Sequence, residues 1–266
     1  ISIENVVGSA GDDEIIGDEN SNIIFGEEGK DSLQGKQGDD KLIGGKDGDV
    51  IDGGEGYDTA SYSTATDWVT ANLTNSQENT DDAQGDSFQS IENLEGSEFG
   101  DRLFGDVLNN DIRGWGWHDF LDGLTGDDTI SGVIGNDTYK VESVNDAVIE
   151  NTDQGVDTVD SAIDYTLGTN LENLNLLEGT AALNGTGNEL NNIINGNSGD
   201  NVISGGDGDD SITGGLGRES SVSGSLGKIN GTPGSDILTG GNGNDAFIYN
   251  NIADSGDLIT DFTVGN

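Results

Sequence analysis

A nine-residue period governs residues 8 to 61 and constrains the fold more than any other feature of the chain. The stretch divides into six blocks, GSAGDDEII, GDENSNIIF, GEEGKDSLQ, GKQGDDKLI, GGKDGDVID and GGEGYDTAS. Glycine opens every block. Position six holds Asp13, Asn22, Asp31, Asp40, Asp49 and Asp58, and position eight holds Ile15, Ile24, Leu33, Leu42, Ile51 and Ala60. The Gly- and Asp-rich first six positions are unfit for a helix, because Gly costs about 1 kcal/mol per helical position and Asp favours turns. The last three residues suffice for one short strand whose middle side chain points to one face. Strand and loop alternating at this period close a coil every eighteen residues. Stacked coils then make two parallel sheets with position eight filling a thin core between them.

Such stacking sets position-six residues of alternate blocks above one another, roughly 4.8 Å apart at the strand spacing. Two bare carboxylates at that distance repel by about 3–4 kcal/mol at an effective dielectric near 20. A hard divalent cation between the rungs reverses the sign, and Ca2+ accepts six to eight oxygens from carboxylates and backbone carbonyls. Glycine at positions one, two and four permits the left-handed backbone that turns carbonyls toward an ion.

Composition points the same way. Nine basic against 52 acidic residues give a net charge of −43, with one proline and no cysteine or methionine. A chain this acidic does not bind nucleic acid or an anionic membrane by electrostatics. At 31% hydrophobic residues it cannot build a thick core, and without a counter-ion its charge and hydropathy are those of a disordered chain. Metal is the expected reason that it folds. Without disulfides, an extracellular location rests on a metal as the staple. No apolar run reaches the length of a membrane span, and no signal peptide is expected within these residues. The chain begins at Ile1 rather than Met, as a processed or excised piece of a longer protein would.

The array resembles the calcium-binding nonapeptide GGxGxDxUx of the repeats-in-toxin (RTX) family, in which U is a large apolar residue. The resemblance implies an all-β fold of tandem, calcium-stapled parallel β-rolls with 18-residue coils, joined by β-rich spacers. It also implies sites made by position six of loops n and n+2 together with loop carbonyls. Carried onto this sequence, the first-array pairs are Asp13 with Asp31, Asn22 with Asp40, Asp31 with Asp49, and Asp40 with Asp58. A second array over 96–140 pairs Asp101 with Asp119, Asn110 with Asp128, and Asp119 with Asp137. Its first two blocks lack glycine at position four, so weak sites are expected there. A third array from 187 pairs Asn192 with Asp210 and Asn201 with Glu219, and two terminal blocks place Asp236 and Asp245. These pairs predict roughly nine or more calcium ions, with the first array best filled and the Glu219 site poorest.

A longer repeat organises the arrays. ISIENVVGS at residue 1, QSIENLEGS at 89 and TNLENLNLLEG at 169 each precede nonapeptide blocks. Ile3, Val6, Ile91, Leu94, Leu171 and Leu174 read as leading strands that cap a first coil, with Asn5, Asn93 and Asn173 bonding backbone at the turn. The expected segments are a first roll with its cap strand over 1–62, a spacer over 63–87 and a second roll over 88–140. A β-rich spacer over 141–169 follows, then a third roll over 170–222, a loop over 223–230 and terminal repeats with strands over 231–266. Strands are expected at Trp68–Leu73, Ala147–Glu150, Asp157–Ser161 and Tyr165–Leu167.

No catalytic site is expected. One histidine excludes HExxH and three-His metal sites, and His118 reads as an ordinary loop residue within GWGWHDFLD. Paired carboxylates are too abundant to indicate acid–base catalysis. Trp115 and Trp117 are read as covers for the side of the roll rather than a platform for a ligand.

The resulting reading is an extracellular or cell-surface calcium-binding structural module. By resemblance, its unfolded chain leaves the cell by type I export and folds outside. The alternatives are the C-terminal region of a secreted enzyme such as a protease, lipase or alginate epimerase, or a subunit of a surface layer, adhesin or filament. Positions seven and nine face outward, so Ile23, Phe25 and Ile43 form an apolar cluster. That cluster is expected either to meet the spacer or to contact a neighbouring roll or second copy.

Overall fold

The computed structural model describes residues 4–179, 183–199, 201–208 and 210–213, and the strands Ser221–Ser223, Leu226–Asn230, Ile237–Leu238, Phe247–Ile248 and Leu258–Ile259. The chain divides into two compact units, one of Ile1–Thr138 with Asn145–Ile149 and one of Tyr139–Val144 with Glu150–Asn266. Both are all-β and built from stacked parallel strands, the parallel β-roll that the period requires.

In the first unit, Asn5–Val7, Ile23–Glu28, Lys41–Lys46, Thr59–Ser61, Asn93–Glu95, Asp111–Gly116, Thr129–Ile134 and Ala147–Val148 form one sheet in that order. Glu14–Ile16, Ser32–Gln37, Val50–Glu55 and Ser87–Gln89 form the facing one. Register advances by one coil per rung, with Asn5 opposite Ile23, Ile23 opposite Lys41, and Ser32 opposite Val50. Between the sheets lie the position-eight side chains, with Ile24, Leu33, Leu42, Ile51, Leu94, Ile112 and Ile130 at 0–1% exposure. Each such side chain contributes about 1.5–3 kcal/mol, so a core one residue deep recurs coil after coil.

The strand ladder passes directly from Thr59 to Asn93, and from Val50 to Ser87 on the facing sheet. The eight-stranded sheet therefore runs unbroken past residues 62–86, which loop out of it, whereas the facing sheet ends at Ser87–Gln89 and Thr70–Asn72 forms the edge of a separate one. Within the loop, Thr70–Asn72 pairs with Arg102–Phe104, which pairs in turn with Phe120–Asp122. A single 3-10 turn spans Asp81–Ala83. Tyr62, Val69, Ala71 and Ala83 are buried and anchor the excursion.

This excursion settles the surface of the apolar cluster. Thr64, Thr66 and Asp82 line a pocket with Phe25 and Ile43, and Ile43 is buried rather than open to solvent. Ile23 stays exposed, and Phe25 is half-buried. On the facing sheet Ile16 and Val50 point outward, as the alternation dictates. Exchanging Ile43 for aspartate is expected to destabilise the first unit by about 2–5 kcal/mol, since it buries an unpaired carboxylate. Thermal melting in calcium would show it, and an unchanged midpoint would contradict the packing.

In the second unit Thr158–Ser161, Asn173–Leu176, Ile193–Asn195 and Asp210–Thr213 run in one sheet. Tyr165–Thr166, Gly185–Thr186 and Val202–Ser204 run in the other. Val159, Leu174, Ile194, Ile203 and Ile212 are buried along them. Among the described residues no helix is long and apolar enough to cross a membrane.

Candidate metal centre

The loops carry a ladder of their own. The position-six backbone N–H of each loop donates to the position-six side chain of the loop one coil on. The distances are 2.8 Å for Asp13 to Asp31, 2.7 Å for Asn22 to Asp40, and 2.8 Å for both Asp31 to Asp49 and Asp40 to Asp58. The second array repeats it, with Asp101 to Asp119 at 2.7 Å, and Asn110 to Asp128 and Asp119 to Asp137 at 2.8 Å. In the second unit Asn192 donates to Asp210 at 2.8 Å. The loop positions paired by spacing are thus neighbours in space. Asn201 bonds within its own surroundings, through Nδ2 to the carbonyl of Leu183 at 2.7 Å. Glu219, Asp236, Asp245 and Ile3 lie outside the described residues.

This ladder uses one oxygen of each carboxylate. Oδ2 of Asp31, Asp40, Asp49, Asp58 and Asp119 is buried and has no hydrogen-bond partner, although these residues are at most 3% exposed. Leaving one such charged oxygen unmatched costs more than the ~1–3 kcal/mol of a neutral group, and here five are left so along three separate ladders, Asp31 and Asp49 on one, Asp40 and Asp58 on another, and Asp119 on a third. The described lysine pairs run elsewhere, from Lys41 to Glu95, from Lys46 to Glu28 and from Lys140 to Glu142.

Two loop forms account for which carboxylates are left unmatched. In the blocks opening at Gly8, Gly17, Gly96, Gly105 and Gly187, the position-six side chain folds back onto the N–H of position two. Ser9 donates to Asp13 at 2.6 Å, Asp18 to Asn22 at 2.9 Å, and Asp106 to Asn110 at 2.8 Å. Ser97 makes the same bond to Asp101, and Asn188 to Asn192. These loops close on themselves. In the blocks opening at Gly26, Gly35, Gly44, Gly53, Gly114 and Gly132, position two is left-handed instead, at Glu27 (φ 84°), Lys36 (90°), Gly45 (103°), Gly54 (110°), Trp115 (87°) and Val133 (77°). Each of these loops continues a six-residue strand. A left-handed non-Gly residue costs of order 1–3 kcal/mol and persists where its surroundings over-determine it; the β-branched Val133 is the most strained.

Asparagine at position six behaves differently from aspartate. Asn110 Nδ2 donates to the Glu92 carbonyl at 3.0 Å, and Asn192 Nδ2 to the Leu171 and Glu172 carbonyls at 3.1 Å. The amide supplies the positive end that a carboxylate must obtain from a cation. Electrostatics sharpens the distinction. Burial pushes the carboxyls of Asp31 and Asp40 upward, and those of Asp49 to about 7, Asp58 to about 6, Asp137 to about 6 and Asp119 to about 9. Bonds from loop N–H groups pull each part of the way back.

Several residues that no predicted pair includes also stand on these ladders. Asp86, in the looped-out segment, accepts the Asp49 N–H at 2.9 Å, and Asp146 accepts that of Asp128 at 3.1 Å. Glu92 accepts the Asp58 N–H at 2.9 Å, and Glu172 that of Asp157 at 2.8 Å. Ser90-Ile91-Glu92 is a three-residue turn stacked on the six-residue loop 53–58, and glutamate's extra methylene spans the gap. The backbone bond at the leading strands is therefore made by the glutamate of IEN and LEN. Asn93 and Asn173 instead donate to the hydroxyls of Thr59 and Thr158, at 3.4 and 3.3 Å. The signal was the nine-residue frame itself: Gly85-Asp86-x-Phe88, Glu92-x-Leu94 and Asp146-x-Val148 all keep positions six and eight.

Trp115 covers the side of the roll, donating its indole N–H to Glu95 at 2.9 Å with the Arg113 guanidinium 5.2 Å above the ring. Trp117 is exposed, edge-on to His118, whose Nδ1 accepts the Asn136 N–H at 2.7 Å.

Glycine is required at position two where the strand below approaches most closely. A Cβ on Gly45 or Gly54 would strike the carbonyl oxygen of Glu27 or Lys36, at φ values of +103° and +110°. Gly45→Ala and Gly54→Ala are each expected to destabilise by about 1–3 kcal/mol. Thermal melting in saturating calcium tests this, and an unchanged midpoint for both would contradict the loop geometry.

The family model described as RTX calcium-binding nonapeptide repeat (4 copies) matches residues 2–33, 25–60, 118–146, 186–218 and 228–251. No curated protein matches the chain. The unmatched residues 61–117 contain the looped-out segment and the two closed loops at Gly96 and Gly105. With more than half of its residues matched and its position-six residues stacked in register, the chain belongs to the RTX calcium-binding nonapeptide-repeat family.

Proposed function

We propose that this calcium-binding repeat module acts as an extracellular structural element whose folding calcium drives. The observation that carries the reading is the set of buried carboxylate oxygens without partners at Asp31, Asp40, Asp49, Asp58 and Asp119. Calcium supplies what those oxygens lack, held by position-six carboxylates and by loop carbonyls that left-handed backbone turns inward. Loop form ranks the sites. Both members are open at Asp31 with Asp49, Asp40 with Asp58, and Asp119 with Asp137, so these pairs bind most tightly. The pairs that include Asp13, Asn22, Asp101, Asn110 or Asn192 have one self-closed loop and bind more weakly. Calcium outside the cell is millimolar, and the affinity expected of such modules, about 10⁻⁴–10⁻³ M, suits that setting.

The test is a calcium titration of the chelated protein followed by far-UV circular dichroism. A cooperative gain of β-signal near that concentration is expected, because each interior carboxylate serves two sites. A β-signal indifferent to calcium would refute the reading. Bound calcium also lowers the charge that keeps acidic copies apart, leaving Ile23 and Phe25 available for contact with a second copy. Sizing of wild type and Phe25→Asp with and without calcium addresses this; a monomer in all four conditions rules it out.

A further inference from the structure

We infer that the looped-out segment supplies half of an additional cation site, between Asp49 and Asp86, which no nonapeptide pair provides. The inference rests on the calcium reading above and extends it to a residue outside every repeat block and every stretch matched by the family model. Loop 81–86 stacks on loop 44–49 as one more rung. A Cβ on Gly48 would touch the Gly85 backbone at 3.0 Å, and Gly85 is itself left-handed at φ +97°. Asp86 is fully buried and takes the Asp49 N–H at 2.9 Å, matching the 2.8 Å by which Asp49 takes that of Asp31.

The second, independent observation is Oδ2 of Asp49. That residue is 1% exposed and its Oδ2 has no partner, while Oδ1 is spent on the rung below. Among the like charges acting on Asp49, Asp86 outweighs Asp31. The other oxygen of Asp86 is held by the hydroxyl of buried Tyr62 at 2.8 Å, which fixes the carboxylate in place. A divalent cation here ties the excursion to the roll, so the segment and the array order together.

Equilibrium dialysis against radioactive calcium tests the site by stoichiometry. Asp86→Asn keeps an oxygen for the Asp49 N–H and is expected to bind one ion fewer than wild type. Asp49→Asn, which belongs to two rungs, is expected to lose two. A wild type that binds no calcium would sink the calcium reading itself. A wild type that binds several ions while Asp86→Asn binds as many, as when Asp49 and Asp86 share a proton, overturns only this site. Should Asp86→Asn fail to fold, wild-type crystals soaked in Tb3+ decide. An anomalous peak between Asp49 and Asp86 supports the site, and peaks at the Asp31 and Asp40 rungs with none here overturn it.

Discussion

Stripped of calcium at pH 8, the protein is expected to lose its β-signal, and lowering the pH to about 5 with chelator still present is expected to restore much of it. Burial raises the folded-state carboxyls of Asp49 and Asp86 to about 7, of Asp58 and Asp137 to about 6, and of Asp119 to about 9, against roughly 3.9 in an unfolded chain. Between those limits the folded state holds more protons than the unfolded one. Stability of the metal-free roll therefore falls as pH rises through 6 to 9 and is fully present only below about 4. Protonation does part of what calcium does, cancelling charge along the loop ladders. It also trims the self-repulsion of a chain with net charge −43. Calcium reverses the trend, since its ligands must be deprotonated and its affinity climbs with pH. Circular dichroism across pH 4–9, with chelator and with calcium, checks both limbs. A chelated protein more ordered at pH 8 than at pH 5 would contradict the buried-carboxylate account.

The period made the roll legible because one constraint, Gly at position one with an apolar residue at position eight, repeats in every coil. Ile24 through Leu42 to Ile130 fall in the core without exception, and the pairing of Asp31 with Asp49 follows from counting eighteen. What counting missed sits where the count is interrupted. Asp86 lies 37 residues beyond Asp49, and Glu92 lies 34 beyond Asp58. Insertion of the looped-out segment and loss of three loop residues hide a register that the strands preserve. Loop form was also hidden. Glu27, Lys36 and Val133 give no hint of left-handed backbone, because intrinsic preference opposes it and only stacking on the next coil imposes it. Ile43 looked exposed for a related reason. Alternation puts it outside the sheet, but a segment more than twenty residues later in the sequence comes back to cover it.

Asp31→Ala is expected to cost about 3–5 kcal/mol, the range for removing one partner from a buried ionic arrangement, whereas Asp13→Ala should cost only about 1 kcal/mol. Sequence already ranks Asp31 above Asp13, since Asp31 belongs to two pairs and Asp13 to one, and the structure adds a difference in loop form. Asp13 is half-buried, and its Oδ2 already accepts from both the N–H and the hydroxyl of Ser9, at 2.6 and 2.9 Å. Its loop is closed and loses a local cap. Asp31 is 2% exposed, in an open loop, with Oδ1 on the Asp13 N–H and Oδ2 buried without a partner. Removing it strands that N–H and takes a ligand from two calcium positions at once, those shared with Asp13 and with Asp49. Because adjacent ions hold the same carboxylate, the calcium-dependent folding transition of Asp31→Ala should also shift to higher calcium and lose steepness. Urea melts at saturating calcium, together with calcium titrations of both variants, measure these effects. Equal losses at the two positions would mean that open and closed loops hold calcium alike, and that the unmatched carboxylate oxygen is not what the ion answers.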